Sequence, residues 1–117
     1  RLAEGLPVDP MTFAARAVVD DTGHEAALAH CLRRRGLLAG HPDRLPGEGP
    51  MDAAAGERFV VEHVTELYPG LWTTGMSVCA AVGGPRMGPI FGGMLLSGEK
   101  LAARVQDALA EAPAVKA

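Results

Sequence analysis

Several features that would assign a function at once are missing from this sequence. No apolar run approaches the ~18 residues that a bilayer-spanning helix needs, and no leader of basic, apolar and small residues can be traced. A membrane protein is therefore not expected, and the cytoplasm is the expected location. Cysteine is scarce: Cys31 and Cys79 are the only two, too few for a disulfide framework. Each stands among apolar neighbours, as small core residues do and reactive thiols do not. Excess positive charge is missing too. The 11 Lys and Arg against 14 Asp and Glu leave a net charge of -3, which offers no field to a phosphate backbone, so nucleic acid is not an expected partner. The only basic cluster, Arg33-Arg34-Arg35, falls in the last turn of an expected helix, where it complements the dipole. There is no internal repeat, no Walker loop and no G-x-G-x-x-G turn. An initiator methionine is also lacking: the chain opens at Arg1 with "RLAEGLPVDP", which reads as a loop already in progress, and the expectation is a piece of a longer protein.

What is present is the composition of a globular domain, 48% apolar and 21% charged over 117 residues, enough to bury one core. "TFAARAVV" (12–19) alternates imperfectly and ends in two β-branched residues, predicting a strand. "DDTGHEAALAHCLRRRG" predicts a loop running into a helix, with Thr22 as N-cap, Gly36 as the stop and Ala27, Leu28, Cys31 and Leu32 as the inward stripe. A strand feeding a glycine-containing turn and a helix is the unit of nucleotide-binding α/β sheets. Residues 36–56, rich in Gly and Pro without a sustained period, read as a long loop. A second helix is predicted at about 56–68, with Val60, Val61, Val64, Leu67 and Tyr68 at helical spacing and "YPG" ending it. "LWTTGMSVCAAV" reads as a buried strand interrupted at Gly75. A last helix is predicted from about Pro89 to Glu111, with Met94, Leu101, Val105 and Leu109 on its apolar face and Lys100, Arg104, Asp107 and Glu111 on the other.

The loop before that helix is the densest signal. "GGPRMGPIFGGMLLSG" (83–98) holds six glycines, two prolines and a single arginine. Pro89 suits the first position of a helix, which would leave the N–H groups of Ile90, Phe91 and Gly92 free for an anion. Glycines at 83, 84 and 88 permit a tight turn and close approach of a ligand. Arg86 can clamp a carboxylate or phosphate bidentately. The same residues also suit a packing loop with a solvated arginine, and spacing alone leaves the choice open. His24, beside Glu25 at a helix start, suits an acid, a base, a ligand contact, a metal ligand or a structural role. His24 and Cys31 share a helical face, but no further ligands stand at metal-like spacing, so no intrinsic zinc site is expected. His30, His41 and His63 read as solvated or packed. Asp9 in "PVDP" lies between two prolines and either presents a carboxylate for chemistry or makes a turn.

In their order, "VDP", "VVDDTGHEA" and "GMSVCAAVGGPRMGPIFGGMLLSG" make the chain resemble the thiamine thiazole synthase family. The resemblance is to the C-terminal portion of its bacterial and archaeal branch, also named ribulose-1,5-bisphosphate synthetase. It runs over residues 6–106, and "GGPRMGPIFGGMLLSG" is its most specific part. The family's usual "DATGHDA" stands here as "DDTGHEA". The resemblance implies an α/β, Rossmann-like FAD/NAD-binding fold, of which residues 1–117 would be the C-terminal part only. It implies an enzyme, a transferase of thiamine biosynthesis that forms an adenylated thiazole from NAD and glycine with a sulfur source, assisted by iron(II), in a homo-octamer. NAD, glycine and sulfide are then the small-molecule partners, with the sulfur coming from sulfide or from a protein cysteine. On matching positions Arg86 would hold the glycine carboxylate, and Met76 and Gly88 would contact the NAD-derived adenylate. Asp9 and His24 fall on catalytic positions of the active site.

The pattern departs at Pro7, two residues before Asp9, where the family carries a sulfur-donating cysteine or an iron-binding histidine. The family's glycine-rich first turn and its ribose-binding acidic residue belong to an N-terminal half that this sequence does not match. Two other readings stand beside the synthase: a non-catalytic nucleotide-binding or assembly remnant, and an FAD-dependent oxidoreductase of related fold.

Overall fold

The computed structural model describes residues 9–38 and 45–111; Pro7, His41 and the middle of the 36–56 stretch lie outside the described residues. In chain order it has β1 (Val18–Asp20), a single 3-10 turn (Gly23–Glu25), α1 (Ala27–Arg34), β2 (Gly49–Met51), α2 (Ala53–Glu62), β3 (Thr65–Tyr68), β4 (Leu71–Thr73), α3 (Met76–Val82), β5 (Pro85–Arg86) and α4 (Phe91–Glu111). Two sheets result. In the first, β4 lies between β1 and β3, parallel to β1 and antiparallel to β3; in the second, β2 runs parallel to β5. The mixed α/β class therefore holds.

The central position of β4 follows from its composition, since Leu71, Trp72 and Thr73 are all buried and such a strand reads as a continuous apolar run. It is shorter than expected. The chain leaves the sheet at Thr73, turns through Gly75 and enters α3, so most of "GMSVCAAV" is helix. An apolar run buried on all sides carries no period, and a buried helix cannot be told from a buried strand by pattern alone. Ser97 of α4 holds the turn: its hydroxyl accepts from Thr74 Oγ1 and from Gly75 N, both at 3.1 Å, and donates to the Met94 carbonyl at 2.8 Å.

The second helix is corrected at both ends. It starts at Ala53, where Asp52 caps it by accepting from Ala55 N at 3.1 Å, and it stops at Glu62. Val64, Leu67 and Tyr68 belong to the following segment and β3 instead. "YPG" makes the β3–β4 hairpin, with Pro69 and Gly70 (φ +88°) in the positions a type II turn requires. What ends α2 comes from α4. Lys100 Nζ donates to the carbonyls of Val61 and Glu62 at 2.8 and 3.2 Å, and Arg104 Nη1 donates to that of Val64 at 2.5 Å. Cations on the last carbonyls of a helix satisfy its orphan acceptors. The expected polar face of α4 is thus partly a capping device, while its apolar face, with Leu101 buried and Met94, Val105 and Leu109 half-buried, lies as expected.

β1 is limited to Val18–Asp20 rather than 12–19, because only these residues pair with β4. Its last residue organises α1. The fully buried Asp20 carboxylate accepts from Thr22 N and Thr22 Oγ1 at 3.1 and 2.7 Å, and from Leu28 N and Ala29 N at 3.1 and 3.0 Å. Thr22 Oγ1 accepts from Ala27 N at 2.7 Å, but the N-cap of α1 is Ala26, in the left-handed region and without a side-chain cap bond, so the expected Thr22 cap is corrected: Thr22 and Asp20 reach the first amides of α1 from upstream of it. This docking sets the phase of α1. Ala26 and Ala29 face the core with Leu38, Leu45, Ala80 and Ala81, whereas Ala27 and Leu28 are exposed and Cys31 and Leu32 only half-buried. The expected stripe is therefore rotated toward the smaller residues, which admit α3 closely.

The 36–56 stretch is not all loop, since β2 and the first turn of α2 lie in it. Gly49 N donates to the Gly84 carbonyl at 2.8 Å and Asp52 N to that of Arg86 at 3.0 Å. β5 is pressed from its other side by α2. A Cβ on Gly56 would stand 2.7 Å from Met87 Cα, and one on Gly84 would stand 2.2 Å from the Phe59 ring. These glycines let the segment carrying Arg86 lie directly on α2. Among the described residues no helix is long and apolar enough to cross a membrane.

Candidate functional site

Three segments far apart in sequence meet beside β5. The first is the 3-10 turn after β1, pinned to α3 by Ser77, whose hydroxyl accepts from Gly23 N at 2.9 Å and donates to the Gly23 carbonyl at 3.1 Å. It carries His24. The second is the approach to β2, pinned on either side of Glu48 by Gly47 N donating to the Ala80 carbonyl at 3.2 Å and Gly49 N donating to that of Gly84. The third is β5, which carries Arg86.

Their side chains converge. A Glu48 carboxylate oxygen makes a short contact with His24 Nδ1. Its other oxygen lies 3.8 Å from Arg86 Nε, and Arg86 Nη2 lies 3.4 Å from His24 Nε2. Glu48 is the most enclosed, its side chain 15% exposed against 36% for His24 and 48% for Arg86. The carboxylate thus forms the floor, and the guanidinium and imidazole face solvent. Its charge also reaches the interior: the Cys79 thiol is pushed up to about 11, first by burial and next by Glu48. A buried thiol held that high is a packing residue and not a nucleophile.

Donor and acceptor chemistry assigns the protons. An ionised carboxylate only accepts and a guanidinium only donates. Neutral His24 satisfies both neighbours with its proton on Nδ1, toward Glu48, and its lone pair on Nε2, toward Arg86. The outcome is an exposed guanidinium, able to take an anion, next to an imidazole nitrogen able to take a proton.

His24 and Arg86, both singled out in the sequence, are brought together across 62 positions. Glu48 was missed; it stood in "LPGEGPMD", which carries no periodic signal. The other expected residues are placed elsewhere. Asp9 is exposed on the irregular segment before β1. Met76 opens α3, half-buried against Val60, Val78, Cys79 and Met87. Gly88 is buried at φ +74°, with the Met51 thioether sulfur 3.6 Å from where its Cβ would be. The expected anion site at the start of α4 is corrected. That helix begins at Phe91, Ile90 N already donates to the Gly88 carbonyl at 2.9 Å, and a Glu57 carboxylate oxygen stands 2.9 Å from where a Gly92 Cβ would be. The Glu57 carboxylate thus borders the first turn of α4, and Ile90 N is not free for an anion. Iron(II) does not fit the described residues by themselves. Among them no group of three or more His, Cys, Asp and Glu could hold a metal ion, and His24 turns one nitrogen to Glu48 and the other to a guanidinium.

The Thi4 family model matches residues 3–91, a span that contains all three converging side chains. The chain belongs to the Thi4 family. It is 52% identical over 108 residues to the thiamine thiazole synthase of Pyrococcus abyssi, covering 92% of this chain and 41% of that protein. It is likewise 52% identical over 105 residues to that of Thermotoga maritima, covering 90% and 40%. The crystal structure of Thermovibrio ammonificans THI4 superposes with a TM-score of 0.80 at 38% identity, covering 91% of this chain and 41% of that one. The chain thus spans about two fifths of the length of the Thi4 proteins it matches, as a C-terminal portion of them, and its α/β architecture is that of the solved Thi4 structure.

Proposed function

We propose that this Thi4 chain contributes part of the active site of a thiamine thiazole synthase, a transferase of thiamine biosynthesis acting in the cytoplasm on NAD and glycine as a homo-oligomer. The observation that carries the reading is the Arg86–His24–Glu48 convergence. Glycine binds as a zwitterion, and its carboxylate is the planar partner that a guanidinium holds bidentately. Its ammonium must lose a proton before the nitrogen can attack a carbonyl carbon. His24 is assigned to accept that proton at Nε2, once the incoming carboxylate takes the Arg86 N–H that faces it. Met76 and Gly88 are assigned to the adenylate side. Pro7 cannot supply sulfur, and neither Cys31 nor buried Cys79 occupies the donor position, so sulfide is assigned as the donor. Iron(II) is assigned to the assembled enzyme.

The test supplies glycine, NAD, iron(II) and sulfide anaerobically to the protein that carries this chain and looks for an adenylated thiazole by mass. Absence of that product refutes the reading. Arg86→Ala is expected to raise the KM for glycine about 10- to 100-fold, the worth of about one charge-assisted hydrogen bond, with the KM for NAD changed far less. An equal loss for both substrates contradicts the assignment.

A further inference from the structure

Glu48 has no substrate-facing position. Its carboxylate is the most enclosed of the three groups, both its oxygens are turned to His24 and Arg86, and its backbone is clamped on either side by Gly47 and Gly49. A carboxylate in that position does two things at once. It can only accept, so it draws the His24 proton to Nδ1 and leaves the Nε2 lone pair to face Arg86. Facing the Nε edge of Arg86, it turns the guanidinium so that the edge away from Glu48 is presented outward. We propose that Glu48 is a positioning residue, which selects the Nδ1–H tautomer of His24 and orients Arg86 for an incoming carboxylate; the second half rests on the glycine reading above.

The geometry favours this over a merely structural ion pair. A structural pair needs only one partner, whereas Glu48 reaches two groups that are themselves in contact, so the three form a closed triangle. The triangle joins segments 24 and 38 positions apart (48 − 24 and 86 − 48) and keeps the two more exposed groups, His24 and Arg86, side by side. Partners that orient the side chains of a site are commonly worth 10- to 100-fold in activity or affinity, though they never touch the ligand.

The tautomer is read directly by long-range 1H–15N correlation spectra of 15N-histidine-labelled protein that carries this chain, with His24→Gln identifying the signal. The wild type is expected to carry its proton on Nδ1. Glu48→Ala is expected to lose that preference, giving a mixture with Nε2–H, and to raise the KM for glycine about tenfold with a smaller effect on kcat. Glu48→Gln keeps an acceptor for Nδ1–H in the same place. It is expected to retain the wild-type tautomer while still weakening glycine binding, because the charge facing Arg86 is gone. A wild-type protein protonated on Nε2, or a Glu48→Ala protein with the wild-type tautomer, overturns the proposal. The spectra need no turnover. A protein that makes no thiazole but shows the Nδ1–H state, lost in Glu48→Ala, refutes the reaction and leaves the role of Glu48 standing.

Discussion

Replacing Gly56 by alanine separates what a helix wants from what this fold allows. Gly56 lies inside α2, and by intrinsic propensity alanine there should stabilise by about 1 kcal/mol. The tertiary structure reverses the sign. A Cβ at this position would stand 2.7 Å from Met87 Cα, 2.8 Å from Met87 N and 2.9 Å from the Pro85 carbonyl oxygen. All three are backbone atoms, so no side chain can swing away. Carbon atoms pack at about 3.5–4.0 Å, so α2 and β5 would have to part by roughly 0.8 Å or more. Overpacking of a tight core costs about 1–3 kcal/mol, and a clash with backbone belongs near the top of that range. Set against the gain in propensity, the net loss is about 2 kcal/mol, or roughly 8–15 °C in the midpoint of thermal unfolding for a domain of this size. The same displacement moves the segment carrying Arg86 away from His24.

Gly98 supplies the control. It too lies inside a helix, α4, but nothing is within 4 Å of where its Cβ would be. Gly98→Ala is expected to raise the midpoint, by the ordinary propensity gain of about 0.5–1 kcal/mol. Thermal unfolding of the two variants beside the wild type decides the matter. If Gly56→Ala stabilises as Gly98→Ala does, the close approach of α2 to β5 is wrong, and with it the basis for the position of Arg86.

Three further outcomes are expected. Asp20→Asn replaces one of the two accepting oxygens by an amide donor set against two of the four donors and should cost about 2–3 kcal/mol, with hydrogen-exchange protection lost first at the amides it faces, Leu28 and Ala29 or Thr22; undiminished protection at all three contradicts the docking of α1 on β1. Burial and then the charge of Asp20 hold the Asp21 carboxyl above its ordinary value, so the folded state binds more protons than the unfolded one between the ordinary and the raised value, and stability falls as pH rises through that window. Asp21→Asn should therefore raise the unfolding midpoint slightly at pH 7 and lose that advantage below the ordinary carboxylate range, a pH-independent difference being the contrary result. Cys79, buried and with its thiol raised to about 11, should resist a thiol-specific disulfide reagent at pH 8 in the folded protein while half-buried Cys31 reacts, which mass mapping of the modified peptides will show.

Much of the site was legible in the residues. Arg86 was the only cation in a glycine-rich loop, and His24 the only histidine at a helix start beside acidic residues, so donor and acceptor types alone singled both out. Glu48 escaped because a lone carboxylate between glycines in a stretch of loop character has no period or motif to mark it. Its importance is created by the β2–β5 pairing, which is a long-range event. The start of α4 misled for a related reason: Pro89 suggested free N–H groups from Ile90 on, but the helix begins at Phe91, Ile90 N is bonded to Gly88, and Glu57, 35 positions before Gly92, packs against the first turn.

The sequence by itself determined the α/β class, the apolar face of α4 and the family. Each is written in local chemistry: strand and helix patterns along the chain, a helical period, a motif order. Only the tertiary structure decided where α2 stops, which face of α1 turns inward, and that "SVCAAV" is helix and not strand. Those outcomes depend on partners that arrive from elsewhere in the chain: Lys100 and Arg104 on the carbonyls at the end of α2, Asp20 on the amides of α1, Ser97 on the turn before α3. A backbone group takes whichever donor or acceptor the folded chain brings within reach, and local pattern holds no record of it.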